Sequence, residues 1–326
     1  MAELLVEPID AYALSKTQRV KTLFSKIGVI GCGKEGQNIV QVASSHGMEV
    51  VFVELSEEKI QIAIDNISKG LDTVIENWGL TQGEKRAIMA RIKGTLNYAD
   101  VADCDFVIEA IRADETTGER NINIRKEIFR KLEDVVSRDA IIATNATHVV
   151  ISELASELQF RDRCVSLHFF VTSNEARIIE VVRGLYTSDD VYSKVCTFVK
   201  LINRDVISVA ESAGLISVRL YVVLLNEACA TLMEGVAAMA DIDKTMQIGL
   251  GMRFGPFRTA DIIGMNKIVK WMENLYEEFG DPKYKVSPVI RRLVRAKRYG
   301  VESGVGFYRY DAEGKIVPGE DLISKF

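Results

Sequence analysis

The sequence predicts an α/β chain, with a doubly wound, mostly parallel sheet followed by an all-α C-terminal domain. Three observations predict it. Short β-branched runs alternate with longer helical stretches through the first two-thirds of the chain. Those runs are apolar almost throughout, as strands covered on both faces are. Beyond Gly214 they cease, and helical patterns punctuated by glycine and proline take over. The length agrees, because 326 residues hold two domains at about 100–200 residues each. The expected division is an N-terminal extension over 1–25, a sheet domain over 26–213 and a helical domain over 214–326.

In chain order, Met1 to Lys26 carries Glu3, Glu7 and Asp10 and no continuous apolar stretch, unlike a secretory signal or an acid-poor transit peptide. Lys26–Ile30 reads as the first buried strand, and Gln37–His46 as the helix after it. Val50–Glu54 is the second strand. Ser56 is placed to cap a helix starting at Glu57, where Glu57 and Glu58 face its positive end. Asp105–Ala110 and Ala140–Thr144 read as further strands, and the intervals are long enough for helical crossovers. Cys164–Phe169, Ile178–Val182 and Asp205–Ala210 complete the strand set. The later helical patterns are Leu215–Ala240, Ile242–Leu250, Arg258–Phe279 and Pro288–Arg298. Leu215 to Leu225 is apolar nearly all round, so it needs cover on every side, from its own domain or from a second copy.

Composition narrows the function classes. With 41 basic against 46 acidic residues, the net charge of −5 argues against a nucleic-acid or anionic-membrane partner. The apolar run at Tyr221 to Leu225 falls far short of the ~18–20 residues of a membrane span. The cysteines, Cys32, Cys104, Cys164, Cys196 and Cys229, form no CxxC pair. They read as reduced thiols rather than a disulfide framework or metal site, which points to a cytoplasmic location.

The first strand runs into Gly31-Cys32-Gly33-Lys34-Glu35-Gly36, a G-x-G-x-x-G loop that opens a helix. Gly31 permits the tight turn, Gly33 lets the backbone approach a pyrophosphate, and Gly36 lets helix and strand pack closely. The free N–H groups and positive end of the helix suit phosphate. The second strand ends in Glu54, whose carboxylate is placed for the adenosine ribose hydroxyls and would repel a 2′-phosphate. The expected cofactor of this Rossmann-type unit is therefore NAD. Glu35 suits bound phosphates only if it points away from them.

The chain holds three histidines. His46 ends a helix and reads as a surface residue. His148 follows the Ala140–Thr144 strand. His168 ends a strand, and Glu180 lies on the next one. If 171–177 connect them, the two face each other across a hairpin centred on Asn174. A carboxylate there would fix the imidazole tautomer and raise its basicity, as a general base for an alcohol requires.

The Gly31–Gly36 loop, Glu54, Asp105 to Ala110, Leu167-His168-Phe169-Phe170, Glu180, Gly255-Pro256-Phe257 and Gly304-Val305-Gly306-Phe307-Tyr308 occur in one order. Together the sequence resembles the L-3-hydroxyacyl-CoA dehydrogenases, from about Lys26 to Tyr310. The resemblance implies NAD-dependent interconversion of a 3-hydroxyacyl-CoA and its 3-ketoacyl-CoA, and a homodimer formed through the helical domain. It implies His168 as catalytic base and Glu180 as its partner. Ala110, Ile111 and Asn145 join the expected cofactor site, and Thr147, Arg125 and His148 the substrate site.

The departures are specific. The family's Asn-Thr-Ser-Ser reads Asn145-Ala146-Thr147-His148 here, so Thr147 is left to offer a hydroxyl to the substrate oxygen. Val171-Thr172 replace Asn-Pro. Val218 stands before Arg219 where the family has an asparagine, and losing one such donor costs about 10²–10³ in rate. Family lysines are replaced in the helix after Glu54, around Ile60 to Asp65, and near Val301 and Glu302. An apparent insertion covers Asp114 to Asn121. These changes keep two alternatives open: a dehydrogenase of a 3-hydroxy acid not linked to CoA, and an NAD-binding protein with weakened catalysis.

Overall fold

The computed structural model describes residues 24–111, 122–147, 149–169 and 177–317. Its strands are β1 Lys26–Ile30, β2 Glu49–Val53, β3 Ile92–Thr95, β4 Phe106–Glu109, β5 Ile141–Thr144, β6 Cys164–Phe169, β7 Ile178–Arg183 and β8 Asp205–Ala210. They form one sheet in the order β3-β2-β1-β4-β5-β6-β7-β8. Every neighbouring pair is parallel except β6 with β7. The order reverses between β1 and β4, which opens a crevice beyond their C-terminal ends.

Helices α1 Lys34–Ser45, α2 Glu57–Glu76, α3 Gln82–Met89, α4 Ile122–Val135, α5 Ile151–Ala155 and α6 Asp189–Leu201 belong to this sheet. Their N-termini are set by short polar side chains. Ser56 accepts from the Lys59 N–H, Ser188 from that of Val191, and Thr81 with Glu84 forms a reciprocal capping box. Ile27, Val29, Phe52, Phe106 and Phe198 are buried on one side of the sheet. Phe24, Phe106 and Phe198 stack there with ring centroids 5.0–5.7 Å apart. Ile30, Val107, Phe129 and Ile142 fill the other side. That two-sided burial is why the strands read as continuous apolar runs.

Strand β3 corrects the sequence reading, which assigned the whole interval after Glu54 to helix. Ile92-Lys93-Gly94-Thr95 lies at the sheet edge, with none of its residues buried, so it carries no apolar run. Helix α1 also begins earlier than expected, directly after Gly33.

The helical half contains α7 Ser217–Met233, α8 Met239–Lys244, α9 Pro256–Ile263, α10 Met265–Phe279 and α11 Pro288–Arg295. The single stretch expected over Arg258–Phe279 is two helices, because Gly264 breaks it with a φ of 101°. Helix α7 stops at Met233 rather than Ala240, and Gly235 turns the chain with a φ of 70°. Val218, Val222 and Leu225 of α7 are buried against α9 and α10, whereas Ile216 and Leu220 are exposed.

Two buried aspartates organise this half. Asp243 accepts the backbone N–H groups of Phe257 and Arg258 and so caps α9. A side chain at Gly255 would place its Cβ 2.4 Å from Asp243. Asp261 accepts from the N–H groups of Phe307 and Tyr308 at 2.8 Å and from the Tyr310 hydroxyl at 2.9 Å. A Cβ on Gly306 would lie 2.0 Å from the Asp261 Oδ1. Both glycine motifs are thus places where backbone wraps onto a carboxylate.

Candidate active site

The dinucleotide loop has the required backbone. Gly31 adopts a φ of 86°, and a Cβ there would touch the Ile111 backbone at 3.0 Å. A Cβ on Gly36 would lie 2.1 Å from the Gly31 carbonyl oxygen. Gly33 precedes α1 and supplies no side-chain cap, so the first amides of α1 have no acceptor of that kind. Lys34 is exposed. Glu54 accepts the Cys32 N–H at 2.6 Å and the Leu55 N–H at 3.1 Å, which fixes its carboxylate against the loop. Burial first, and the Glu54 charge second, push the Cys32 thiol up, so Cys32 stays a neutral loop residue. The glycine cradle, the uncapped helix start and the carboxylate at the end of β2 fit a dinucleotide without a 2′-phosphate.

Ala110 donates its N–H to the Ile30 carbonyl, and Ile111 donates to Glu109 at 2.7 Å. Glu109 is wholly buried, pairs with the buried Arg125 guanidinium and accepts from Thr144 at 2.7 Å. Arg125 also donates to the Ile111 carbonyl. The sequence placed Arg125 with the substrate; the structure commits it to Glu109 and the end of β4.

Asn145 joins three parts of the cleft. Its Oδ1 accepts the Phe169 N–H at 3.0 Å, and its Nδ2 donates to Glu35 at 2.9 Å. Glu35 does turn aside, toward Asn145 and the ammonium of Lys267 on α10. Burial pushes the Glu35 carboxyl up, but the Lys267 charge and hydrogen bond, with the charge of His168 and the Asn145 amide, outweigh it and hold it low.

His168 and Glu180 are direct register partners across the antiparallel β6–β7 pair. His168 Nδ1 lies 2.6 Å from Glu180 Oε2. Glu180 also accepts the N–H groups of Ile216 and Ser217, at 3.2 and 3.0 Å, and the Ser217 hydroxyl at 3.0 Å. Because α7 has no side-chain cap of its own, Glu180 supplies one from the sheet. Burial pushes Glu180 up. The His168 hydrogen bond and charge, then Ser217, outweigh it and keep the carboxyl below its ordinary range. An ionised Glu180 accepts, so Nδ1–H donates and Nε2 is the nitrogen placed to exchange a proton.

Thr147 is nearly buried, and its carbonyl accepts the Gly214 N–H. It lines a small cleft with Ala213, Val218, Trp271, Asn274 and Leu275. That cleft adjoins the start of α7, one residue from Ser217. His148, Phe170, Val171, Thr172, Asn174 and the Asp114 to Asn121 segment lie outside the described residues.

The sequence reading missed Ser217 and Lys267. Ser217 directly precedes Val218, and its hydroxyl is committed to Glu180. Lys267 lies 232 residues from Glu35, and no local pattern pairs them. The one available signal was Glu35 itself, an acid in a phosphate loop that called for a base.

The profile for the NAD binding domain of 3-hydroxyacyl-CoA dehydrogenase matches residues 26–212, and that for its C-terminal domain matches 214–310. The chain is similar to a 3-hydroxybutyryl-CoA dehydrogenase of Clostridioides difficile, 32% identical over 286 residues, covering 88% of this chain and 99% of the relative. It is similar to a probable 3-hydroxybutyryl-CoA dehydrogenase of Deinococcus radiodurans, 34% identical over 87% of this chain and 100% of the relative. Among solved structures it resembles (S)-3-hydroxybutyryl-CoA dehydrogenase PaaH1 from Ralstonia eutropha, with a TM-score of 0.80 and 33% identity over 88% of this chain and 99% of that one. The chain belongs to the 3-hydroxyacyl-CoA dehydrogenase family and is an NAD-dependent oxidoreductase.

Proposed function

We propose that this chain interconverts a short 3-hydroxyacyl-CoA, of the 3-hydroxybutyryl type, and the 3-ketoacyl-CoA, with His168 as general base and acid. The observation that carries this is the His168–Glu180 pair, 2.6 Å apart and fixed to the start of α7. NAD, when bound, supplies the hydride acceptor. Gly31, Cys32, Gly33, Lys34, Glu35 and Gly36, with Glu54, Ala110, Ile111 and Asn145, form its site. In oxidation His168 Nε2 takes the proton of the C3 hydroxyl; in reduction it returns it. Nδ1–H stays on Glu180, whose carboxylate stabilises the imidazolium formed in between. Thr147 is the residue for a hydrogen bond to the substrate oxygen, since Val218 has no donor.

The exposed side of α7 supports a homodimer formed through the helical half, and five unpaired cysteines accord with a reducing, cytoplasmic setting. No helix among the described residues is long and apolar enough to cross a membrane.

The test follows NADH absorbance with acetoacetyl-CoA and with free acetoacetate. Turnover of the thioester supports the reading. Turnover of the free acid alone overturns the CoA assignment, and turnover of neither across a panel of 3-keto and 3-hydroxy compounds overturns the enzyme assignment.

A further inference from the structure

The dinucleotide loop contains a charge that opposes its own ligand. Glu35 occupies the second position of α1, inside the Gly31–Gly36 loop, and its side chain is only partly exposed. A pyrophosphate on the same helix start would sit close to that negative charge and be repelled by it. The favourable end of the α1 dipole would be shared between the two anions. The structure answers this with a cation from the other half of the chain. Lys267, in the first turn of α10, places its Nζ on Glu35 Oε1, while Asn145 Nδ2 holds Oε2 at 2.9 Å. Lys267 also lies 5.6 Å from the ring of Trp271, one turn further along α10, and Trp271 lines the cleft that holds Thr147 and Val218. The pair is therefore at the meeting of the dinucleotide loop, the substrate cleft and the helical half. Neither side chain is fully buried, with side-chain exposures of 40% for Lys267 and 30% for Glu35, so a folding contribution alone is small.

We propose that Lys267 is a positioning residue of the cofactor site: by neutralising Glu35 from across the interdomain cleft, it lets an acid-bearing glycine loop accept the diphosphate of NAD. The proposal rests on the Gly31–Gly36 loop as the dinucleotide site, and its experiment separates the two.

The measurement is the dissociation constant of NADH, by fluorescence titration of the full chain at low and high salt, with thermal melting as a folding control. Wild type is expected to bind. Lys267→Met leaves the Glu35 charge without its cation beside the diphosphate, and the dissociation constant should rise about 10-fold at low salt, as expected for one partly screened charge. The difference should shrink as sodium chloride is raised. Glu35→Gln removes the repulsive charge while Lys267 remains, and should bind NADH more tightly than wild type at low salt. The double variant should return to within about threefold of wild type, because the cation is needed only against the anion. Lys267→Arg should preserve binding.

Three results overturn the proposal. One is unchanged binding in Lys267→Met. A second is weakening in Glu35→Gln equal to that in Lys267→Met, with no recovery in the double variant, which makes the pair a plain interdomain clasp. The third is no NADH binding by wild type, which removes the loop assignment with it. If Lys267→Met fails to fold, Glu35→Gln decides: NADH binding tighter than wild type at low salt supports the proposal, and unchanged or weaker binding overturns it.

Discussion

In the proposed reaction His168 exchanges a proton with substrate through one ring nitrogen while Glu180 holds the other. Replacing His168 with alanine should lower kcat by about 10²–10⁴, the range for a positioned acid–base group, while NADH binding stays near wild type. An unchanged rate removes His168 from the chemistry. Ser217→Ala takes one donor from Glu180 and should cost about 1 kcal/mol, seen as a several-fold loss in kcat with little change in KM. Equal activity would show the Ser217 hydroxyl to be incidental. Glu180 also has a signature in stability. Its folded value lies below the ordinary 4.5, so its stabilisation is present above that value and lost as pH falls through the folded one. The melting midpoint of Glu180→Gln should therefore fall less steeply on acidification below the ordinary carboxylate range. At this scale the sequence offered His168 and Glu180 as a facing pair if 171–177 connect their strands, and the β6–β7 register does set them opposite each other. The sequence could not show Ser217 or Lys267, whose partners lie 37 and 232 residues away and depend on how the halves dock.

At the scale of elements, most strands were legible because two-sided burial writes continuous apolar runs. Strand β3 was not, because an edge strand owes little to burial. The glycine motifs were visible as motifs, but their reason is packing onto Asp243 and Asp261. Gly306→Ala would drive a methyl into the Asp261 carboxylate, 2.0 Å from the ideal Cβ, and part it from Phe307 and Tyr308. We expect a loss of about 1–3 kcal/mol, as for other overpacked sites, read as a lower melting midpoint; an unchanged midpoint contradicts this account of the motif. Asp261 adds a pH dependence. Burial lifts its carboxyl to about 7, against the pull of the Tyr308 and Phe307 N–H groups and the Tyr310 hydroxyl. An acid raised in the folded state holds its proton there more tightly than in the unfolded chain. Its contribution is fully present below the unfolded value of 3.8 and is lost as pH rises through about 7. Melting midpoints of wild type should decline between pH 5 and 8 relative to those of Asp261→Asn. Parallel curves for the two proteins would remove Asp261 as the cause.

For the whole molecule, the sequence posed a question about α7 that its own fold half answers. A helix apolar nearly all round needs cover on every side, and the helical half buries Val218, Val222, Leu225, Ala228 and Cys229 but not the whole circumference. Ile216 and Leu220, one turn apart, remain exposed, Leu220 at 69%. Ile248 and Leu250 add apolar surface at 73% and 70% exposure. Scattered apolar residues need no explanation, but exposed ones a turn apart at the start of one helix are the kind of surface that associates. Self-association through the helical half would bury it at about 25 cal/mol per Å² of apolar surface, and a two-fold arrangement would use the same patch on both copies. Wild type should therefore scatter light at twice the chain mass of 36.3 kDa at micromolar concentration. Leu220→Glu, which sets charge against charge across a two-fold axis, should shift the protein toward the single-chain mass while its NADH binding persists. A wild-type monomer under these conditions would overturn the dimer, and a dimeric Leu220→Glu variant would move the interface off this face of α7.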